Sequence, residues 1–295
     1  MAHRHQAVAV LGIGAMGHGI ATSALRAGIP TVVWNRTPEA TRDLAEIGAE
    51  VAETAADAAR RVDIVVTMVT NADAVLSIAS QQGMLAAMAP RAIWVQMSTI
   101  GVEGIERVAA LVETERPDVV LLDAPVSGSK DPAERGELTI FASGPNEARD
   151  RVGALFDALG QRTIWVGAVG AGTRLKLVNN TWLAFAAEGL ATSVALAHRL
   201  GLATETLVDA LAGGPLVSPW QSAKMQRIAK DDFSAQFALS LALKDVHLAA
   251  QAAADNNPFT VLAALAEEWQ QLVDNGFGDY DISVVTRALE QQGGR

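Results

Sequence analysis

The sequence predicts an α/β fold: a doubly wound parallel sheet in the N-terminal part, joined by one long helix to an all-helical C-terminal domain. Three observations predict it. From residue 7 to about residue 166, short runs of Val, Ile and Leu alternate with Ala-rich amphipathic stretches, the pattern of strands that crossover helices bury on both faces. A largely apolar helical pattern then extends from residue 173 to residue 200. The segments after it are separated by Gly and Pro clusters, which indicates further helices.

Length and composition indicate two domains. The chain has 295 residues, of which 50% are hydrophobic, so it exceeds the usual size of one domain and can fill a large core. The change of pattern near residue 168 sets the boundary. We therefore predict a sheet domain over residues 1–168 and a helical domain over residues 169–295.

Seven short apolar segments are the candidate strands of the parallel sheet. They cover residues 7–11, 31–34, 63–68, 92–97, 119–123, 138–142 and 163–166. Helix signals lie between them, such as Thr37 followed by Pro38, a capping residue before a proline at the first helical position. The long helix is expected to end at Gly201, because glycine is the common residue just after a helix.

A glycine-rich loop follows the first candidate strand. Gly12, Gly14 and Gly17 have the spacing G-x-G-x-x-G, directly after a buried strand and directly before an Ala-rich helix. This placement is typical of a Rossmann domain. The first glycine permits a tight turn, the second lets the backbone approach a pyrophosphate, and the third lets the helix pack on the strand. The residues expected to contact the dinucleotide here are Gly12, Ile13, Gly14, Ala15, Met16 and Gly17.

The end of the second strand favours NADPH/NADP+ over NADH. An NAD-specific site usually has Asp or Glu at this place to bind the ribose hydroxyl groups. Asn35, Arg36 and Thr37 stand there instead. An amide, a guanidinium and a hydroxyl can bind a 2′-phosphate, and no carboxylate is present to repel it. Further contacts to the dinucleotide are expected in the loops after two later strands, at Met68, Val69 and Thr70 and at Ser98 and Thr99.

Three later segments complete a pattern that resembles the β-hydroxyacid dehydrogenases. Residues 123–129 read Asp-Ala-Pro-Val-Ser-Gly-Ser, and residues 167–180 read Gly-x-x-Gly-x-Gly-x-x-x-Lys-x-x-x-Asn. The third segment combines Phe237 with Lys244 and Asp245. With the glycine loop, the resemblance covers nearly the whole chain. Pro-Ala-Glu at 132–134 and Gly-Asp-Tyr-Asp-Ile-Ser at 278–283 are similar to the glyoxylate/succinic semialdehyde reductase branch.

Lys176 and Asn180 have the chemistry that a carbonyl reduction needs. They lie four residues apart on the predicted long helix, so their side chains project from the same face. A carbonyl oxygen gains negative charge as hydride reaches the carbon, and a nearby ammonium can stabilise that charge and supply the proton. Lysine is ordinarily protonated at neutral pH. We therefore expect Lys176 to be the general acid and Asn180 to orient the substrate oxygen.

The remaining site residues follow mostly from the resemblance. Ser127, in a turn after a buried strand, can offer its hydroxyl, and Gly128 its N–H, to a substrate carboxylate. The resemblance implies the same contact. It also implies that Phe237 walls the pocket, that Lys244 lies towards the cofactor, and that Asp245 holds the catalytic helix or lysine in place.

Composition excludes several other classes. With 23 basic and 33 acidic residues and a pI near 5.0, the chain offers no basic face for nucleic acid or an anionic membrane. It has no cysteine, and its His, Asp and Glu residues show no metal-ligand spacing, so we expect no metal. No apolar run reaches the roughly 20 residues of a membrane span. We expect a cytoplasmic enzyme, and its apolar helices suggest a homodimer or homotetramer.

These observations predict an NADPH-dependent reductase that passes hydride to the carbonyl of a small aldehyde acid, such as glyoxylate or succinic semialdehyde. Trp220 lies beside an apolar loop and either shapes the pocket for a bulkier substrate or packs as an ordinary helix residue. Three alternatives stay open: a 3-hydroxyisobutyrate-type dehydrogenase, an imine reductase, and a reductase-like oligomerisation scaffold without activity. Arg36 disfavours the NAD-linked form of the first, and the presence of Lys176 disfavours the last.

Overall fold

The computed structural model of the protein describes residues 7–253 and 259–292. The chain divides into two compact units, Met1–Lys176 and Leu177–Arg295, which we call the N-terminal and C-terminal units. The predicted domain boundary between residues 168 and 169 stays a prediction. No helix within the described ranges is long and apolar enough to cross a membrane.

A six-stranded parallel sheet forms the centre of the N-terminal unit. Its strand order is β3-β2-β1-β4-β5-β6, and every neighbouring pair is parallel. This order confirms the predicted Rossmann fold, because the chain reverses direction across the sheet at β1. The strands are β1 (Val8–Leu11), β2 (Thr31–Trp34), β3 (Glu50–Val51), β4 (Ile64–Thr67), β5 (Ile93–Gln96) and β6 (Val120–Asp123).

The sheet is buried on both faces, as the unbroken apolar runs predict. Along β1, Val8 and Val10 belong to the core on one face, while Ala9 and Leu11 belong to the core on the other. Successive side chains of a strand point to opposite faces, so a strand covered on both sides must be apolar throughout. The helices of this unit are α1 (Ala15–Arg26), α2 (Arg42–Glu46), α3 (Ala55–Arg60), α4 (Ala72–Leu76), α5 (Met84–Ala87), α6 (Gly101–Glu115), α7 (Lys130–Arg135) and α8 (Arg149–Leu159).

A separate three-stranded sheet corrects one expectation. Segments 138–142 and 163–166 were expected in the parallel sheet, but they form strands of a second sheet. In it, β7 (Val126–Ser127) runs antiparallel to β8 (Leu138–Ala142), and β8 runs parallel to β9 (Gly160–Trp165). Apolar runs show that a strand is buried, but they do not show which edge it joins.

Two strands were not predicted, and both have only two residues. Glu50 and Val51 of β3 are exposed, so this edge strand has no apolar run that could reveal it. β7 is equally short and depends on its pairing with Thr139 and Ile140. Strands this short are fixed by their neighbours in the sheet rather than by their own sequence.

The C-terminal unit is helical over its described residues, as predicted. Helix α9 (Ala171–Arg199) begins in the N-terminal unit and continues into this one, close to the expected range of 173–200. Gly201 follows it with φ +76°, the left-handed conformation of a C-terminal cap. The other helices are α10 (Thr204–Leu211), α11 (Pro219–Ala229), α12 (Leu239–Ala252), α13 (Thr260–Leu272) and α14 (Val285–Gln292).

Candidate active site

Of the three glycines in the loop after β1, the middle one has space for a side chain and the outer two do not. Gly12 has φ +98°, and a Cβ atom on it would lie 2.4 Å from the Met68 carbonyl oxygen. A Cβ atom on Gly17 would lie 1.9 Å from the Gly12 carbonyl oxygen, so neither position accepts a side chain. A Cβ atom on Gly14 would instead face open space within the described part of the chain. Since Gly14 directly precedes α1, this space lies where the helix presents unpaired N–H groups.

The side chain of Asn35 holds this loop in place. Its Oδ1 accepts a hydrogen bond from the Ile13 N–H at 3.0 Å, and its Nδ2 donates to the Thr37 carbonyl oxygen at 2.9 Å. Asn35 therefore ties the end of β2 to the glycine loop. Arg36 and Thr37 are exposed. Over residues 7–253 and 259–292, the Arg36 guanidinium has no hydrogen bond or ion pair, so it is available to a ligand.

The loops after β4 and β5 are bound to each other. The Val69 N–H donates to the Ser98 hydroxyl oxygen at 2.8 Å, and the Ser98 hydroxyl lies 3.3 Å from the Thr67 carbonyl oxygen. The Met68 N–H donates to the Leu11 carbonyl oxygen at 2.9 Å, which joins the first of these loops to β1. The predicted cofactor contacts Met68, Val69, Thr70, Ser98 and Thr99 lie in these loops. The sequence did not reveal that the buried Ser98 hydroxyl connects the two loops.

These residues fit a dinucleotide. The open space above Gly14 faces the first turn of α1, a helix of 12 residues. A pyrophosphate there would meet backbone N–H groups and the positive end of a helix dipole. Arg36 stands exposed at the end of the neighbouring strand. The loop is rigid because Asn35 and the close packing of Gly12 against Met68 fix it from two sides.

Two polar side chains of α9 are buried one turn apart. Lys176 is 9% exposed and Asn180 is 5% exposed, and their spacing of four residues places them on one helix face. The Asn180 Nδ2 donates to Asp245 Oδ2 at 2.5 Å, and its Oδ1 accepts from Asn179 Nδ2 at 3.0 Å. Lys244 Nζ lies 2.6 Å from Asp245 Oδ1. The C-terminal unit therefore joins Asn180, Lys244 and Asp245 in one network.

A buried carboxylate binds the first turn of α9. Asp123, the last residue of β6, has no exposed surface. Its Oδ2 accepts from the Thr173 N–H at 2.8 Å, and its Oδ1 accepts from the Thr173 hydroxyl at 2.7 Å. The Ser143 hydroxyl lies 3.2 Å from Asp123 Oδ2 and accepts the Gly172 N–H at 2.9 Å. Burial raises the pKa of Asp123, although the hydrogen bonds from Thr173 and Ser143 oppose that rise.

In the sequence, Asp123 is only the first residue of the segment 123–129 and has no predicted role. One signal in the sequence could have identified it. Asp123 ends a strand that is otherwise apolar, and a carboxylate in such a place needs specific donors. The sequence did not reveal that Thr173, 50 residues further along the chain, supplies two of them.

Ser127 and Gly128 form a fixed turn in the N-terminal unit. Ser127 ends β7 opposite Thr139 of β8 and is half-buried. A Cβ atom on Gly128 would lie 2.7 Å from a Leu138 methyl group. The turn therefore rests directly on β8.

Phe237 and Trp220 lie near a buried ion pair, that of Lys224 with Asp281. The sequence did not reveal this ion pair. Lys224 Nζ lies 2.7 and 2.8 Å from the two carboxylate oxygens of Asp281. The Phe237 N–H donates to Asp281 at 3.1 Å, and Lys224 Nζ lies 5.7 Å from the centre of the Trp220 ring. Burial lowers the pKa of Lys224. Burial alone would raise the pKa of Asp281, but Lys224 and the hydrogen bonds from Ser283 and Phe237 lower it.

The predicted site residues are divided between the two units. Gly12–Gly17, Asn35–Thr37, Met68–Thr70, Thr99, Ser127, Gly128 and Lys176 belong to the N-terminal unit, and Asn180, Trp220, Phe237, Lys244 and Asp245 belong to the C-terminal unit. In the portions that the structure describes, no group of three or more His, Cys, Asp or Glu side chains has a geometry that could hold a metal ion.

Comparison with known families covers nearly the whole chain. Residues 7–167 match the NAD binding domain of 6-phosphogluconate dehydrogenase. Residues 170–289 match the NAD-binding domain of NADP-dependent 3-hydroxyisobutyrate dehydrogenase. Both matched domains bind a nicotinamide cofactor, so the open space above Gly14 and the families point to the same ligand.

Individual relatives are named for different substrates. The chain is 31% identical to glyoxylate/succinic semialdehyde reductase 1 of Arabidopsis thaliana, covering 96% of this chain and 98% of that one. It is also 31% identical to NAD-dependent L-serine dehydrogenase of Pseudomonas aeruginosa, covering 98% and 99%. The crystal structure of 3-hydroxyisobutyrate dehydrogenase from Salmonella typhimurium superposes with a TM-score of 0.86 at 29% identity, covering 95% and 99%.

Proposed function

Because the chain belongs to the β-hydroxyacid dehydrogenase family of NAD(P)-dependent oxidoreductases, we propose that it is an NADPH-dependent reductase of small aldehyde acids. The buried pair of Lys176 and Asn180 on one face of α9 carries the proposal. Glyoxylate and succinic semialdehyde are the proposed substrates, because the Arabidopsis relative is named for them.

Lys176 is the proposed general acid. When bound, NADPH would supply the hydride for the carbonyl carbon. Negative charge then develops on the carbonyl oxygen, and the Lys176 ammonium stabilises this charge and donates the proton. The products are a hydroxy acid and NADP+. Burial of Lys176 supports this role, since an ammonium shielded from water interacts more strongly with a developing charge.

Asn180 is the proposed orienting group for the substrate oxygen. An amide nitrogen carries two hydrogens, and one of those on Asn180 is donated to Asp245. The bonds to Asp245 and Asn179 fix which way the amide faces. The second hydrogen can then be donated to the substrate. In this arrangement Asp245 orients Asn180, and Lys244 balances the charge of Asp245.

Ser127 and Gly128 are the proposed site for the substrate carboxylate. A hydroxyl and a backbone N–H in a rigid turn can donate two hydrogen bonds to one carboxylate. The packing of Gly128 against Leu138 supports this proposal, because it fixes the turn. Phe237 and Trp220 are proposed to wall the pocket.

Arg36 supports NADPH as the preferred cofactor. Its exposed guanidinium stands at the end of β2 and has no protein partner in the described ranges. A 2′-phosphate would give it a charge-assisted contact. The Asn35 amide binds Ile13 and Thr37, which leaves one Nδ2 hydrogen for a ligand. Asn35 therefore supports the loop and stays a proposed phosphate contact beside Arg36 and Thr37.

A second candidate is a 3-hydroxyisobutyrate-type dehydrogenase that oxidises a β-hydroxy acid. The family match over residues 170–289 and the Salmonella structure favour it. The two candidates use the same residues for opposite directions of the reaction, and the preferred substrate and cofactor distinguish them.

An assay with a panel of substrates tests the proposal. Consumption of NADPH and of NADH is measured with glyoxylate, succinic semialdehyde and a cyclic imine, and reduction of NADP+ and NAD+ is measured with 3-hydroxyisobutyrate. We expect the highest kcat/KM for an aldehyde acid with NADPH. A higher value for 3-hydroxyisobutyrate would establish the second candidate. A higher value for the imine would place the protein among imine reductases, and no turnover would leave a scaffold role.

We also propose a homodimer or homotetramer formed through α9. Trp182 is 80% exposed and Val178 is 67% exposed, and Phe185 and Leu196 are exposed on the same helix face. Contact between two copies would remove this apolar stripe from water. Light scattering of the wild type and of Trp182→Lys tests it. We expect the wild type to be oligomeric and the variant to be shifted towards the monomer, whereas a monomeric wild type would contradict the proposal.

A further inference from the structure

We propose that Asp123 is a positioning residue for Lys176: its carboxylate sets the place and the rotation of the first turn of α9, on which Lys176 lies. This inference rests on the proposed role of Lys176 as the general acid. Asp123, Thr173 and Lys176 all belong to the N-terminal unit.

The first turn of α9 has one local backbone bond, from the Ala171 N–H to the Ala168 carbonyl oxygen at 3.1 Å, and no side-chain cap from the residue before it. The first N–H groups of a helix have no partner within the helix and need one from elsewhere. The residue before α9 is Gly170, which has no side chain to accept them. The Gly172 N–H is bound by Ser143, and the Thr173 N–H by Asp123. Residues from other elements therefore cap α9 and decide where it starts.

The contact between Asp123 and Thr173 fixes the rotation of the helix as well as its position. One carboxylate oxygen accepts the Thr173 N–H at 2.8 Å, and the other accepts the Thr173 hydroxyl at 2.7 Å. With a single hydrogen bond, the first turn of the helix could rotate about that bond. The two bonds from Thr173 to the two oxygens of the Asp123 carboxylate prevent this rotation.

Close packing leaves the helix start little space to move. A Cβ atom on Gly172 would lie 2.2 Å from the Phe141 carbonyl oxygen and 2.8 Å from the Asp123 carbonyl oxygen. The backbone of α9 therefore lies directly against β6 and β8 at this point. Loss of the Asp123 carboxylate would release the helix in the other directions, away from these strands.

Lys176 follows Thr173 by three residues, which is less than one helical turn, or about 4.5 Å along the axis. A shift or rotation of the first turn therefore moves Lys176 by a similar amount. Misplacement of a catalytic group by about 1 Å can cost about 100-fold in rate. Asp123 is thus placed to affect the rate without any contact to the substrate.

Asparagine should replace Asp123 better than alanine does. In Asp123→Asn, the amide oxygen can accept the Thr173 N–H. The amide nitrogen then faces the Thr173 hydroxyl, which can turn to accept a hydrogen bond. In Asp123→Ala both contacts are lost. The elevated pKa of Asp123 agrees with this expectation, because a site that favours the neutral acid should accept a neutral amide.

A double-mutant cycle tests the proposal. The variants are Asp123→Ala, Lys176→Ala and the double variant, with kcat measured for an aldehyde acid and NADPH, and Kd for NADPH measured by fluorescence. We expect Asp123→Ala to lower kcat by about 100-fold while changing the Kd for NADPH little. We also expect the double variant to be no slower than Lys176→Ala, and Asp123→Asn to restore most of the rate. Ser23→Ala, which removes a buried hydrogen bond to Ala133 at 2.8 Å elsewhere in the unit, is the control and should keep wild-type kcat.

The outcomes separate this inference from the proposed function. If Lys176→Ala keeps the wild-type rate, the proposed function fails and the inference fails with it. If Lys176→Ala is slow and Asp123→Ala slows it further by the same factor as in the wild type, only the inference is overturned. An equal loss of NADPH binding and of kcat in Asp123→Ala would also overturn it. Should Asp123→Ala not fold, Thr173→Val, which keeps the N–H but loses the hydroxyl, takes its place in the same cycle.

Discussion

Asp123 in the N-terminal unit and Asp281 in the C-terminal unit both lack exposed surface, yet their pKa values move in opposite directions. Burial favours the protonated form of each. Asp281 has the Lys224 ammonium at 2.7 Å, which overcomes that effect and lowers its pKa. The hydrogen-bond donors to Asp123 are neutral groups of Thr173, Ser143 and Gly170, and its pKa is raised.

The difference separates two uses of a buried carboxylate. Asp281 forms an ion pair that holds distant segments of the C-terminal unit, since it also accepts the N–H groups of Gln236, Phe237 and Ser283. The negative charge of Asp281 therefore contributes to the stability of the fold. Asp123 holds the start of one helix through neutral donors, so its shape matters more than its charge. The two residues should therefore respond differently to substitution and to pH.

The largest expected effect is on the ion pair. Lys224→Met keeps most of the side-chain volume but leaves Asp281 charged and buried without its main cation. Removing one partner of a buried pair typically costs about 3–5 kcal/mol. We expect a loss of about 3 kcal/mol in the free energy of unfolding, measured by urea denaturation at neutral pH. A loss below about 1 kcal/mol, the size of an exposed ion pair, would mean that water reaches Asp281.

The pH dependence of two asparagine variants should have opposite signs. The lowered pKa of Asp281 means that its carboxylate stabilises the fold above the unfolded pKa of about 3.9, and this contribution is lost as pH falls through the folded pKa. Asp281→Asn should therefore cost about 1–3 kcal/mol near neutral pH and less in acid.

For Asp123 the sign is reversed. Its raised pKa means that its contribution is fully present below the unfolded pKa and is lost as pH rises through the folded pKa. The deficit of Asp123→Asn relative to the wild type should be largest in acid and should shrink towards neutral pH. Urea denaturation of both variants and the wild type between about pH 2 and pH 8 measures the two slopes, because the Asp281 contribution changes only below its unfolded pKa. Slopes of the same sign would contradict the distinction between the two carboxylates.

A smaller effect is expected from Thr173→Val, which removes one donor to Asp123 but keeps the backbone N–H. Valine has nearly the shape of threonine, so the change isolates the hydroxyl. We expect a loss of about 1–2 kcal/mol, the cost of one unsatisfied buried acceptor, measured by the same denaturation. A loss as large as that of Lys224→Met would show that Asp123 depends on its partners as strongly as Asp281 does.

The sequence predicts most of the fold because its strands are buried on both faces. Such strands must be unbroken apolar runs, and each long strand of the parallel sheet was found that way. Runs of this kind do not show which sheet a strand joins, so β8 and β9 were assigned to the wrong one. The two-residue strands β3 and β7 are too short to show an apolar run.

Local spacing predicts those parts of the candidate site whose residues are close in sequence. The spacing of the glycines between a strand and a helix indicated the glycine loop, and the four-residue spacing placed Lys176 and Asn180 on one helix face. It did not identify contacts between distant residues. The Asp123 carboxylate and Thr173 are 50 residues apart, and Lys224 and Asp281 are 57 residues apart. Each pair is brought together only by the packing of the elements that carry it.

The most direct test of the central claim is the rate of aldehyde-acid reduction by NADPH in the wild type and in Lys176→Ala. A positioned general acid contributes about 100- to 10,000-fold. We predict that the variant loses kcat within this range, while its Kd for NADPH and its thermal unfolding temperature stay close to those of the wild type. A variant that reduces glyoxylate and succinic semialdehyde at the wild-type rate would show that Lys176 is not the acid.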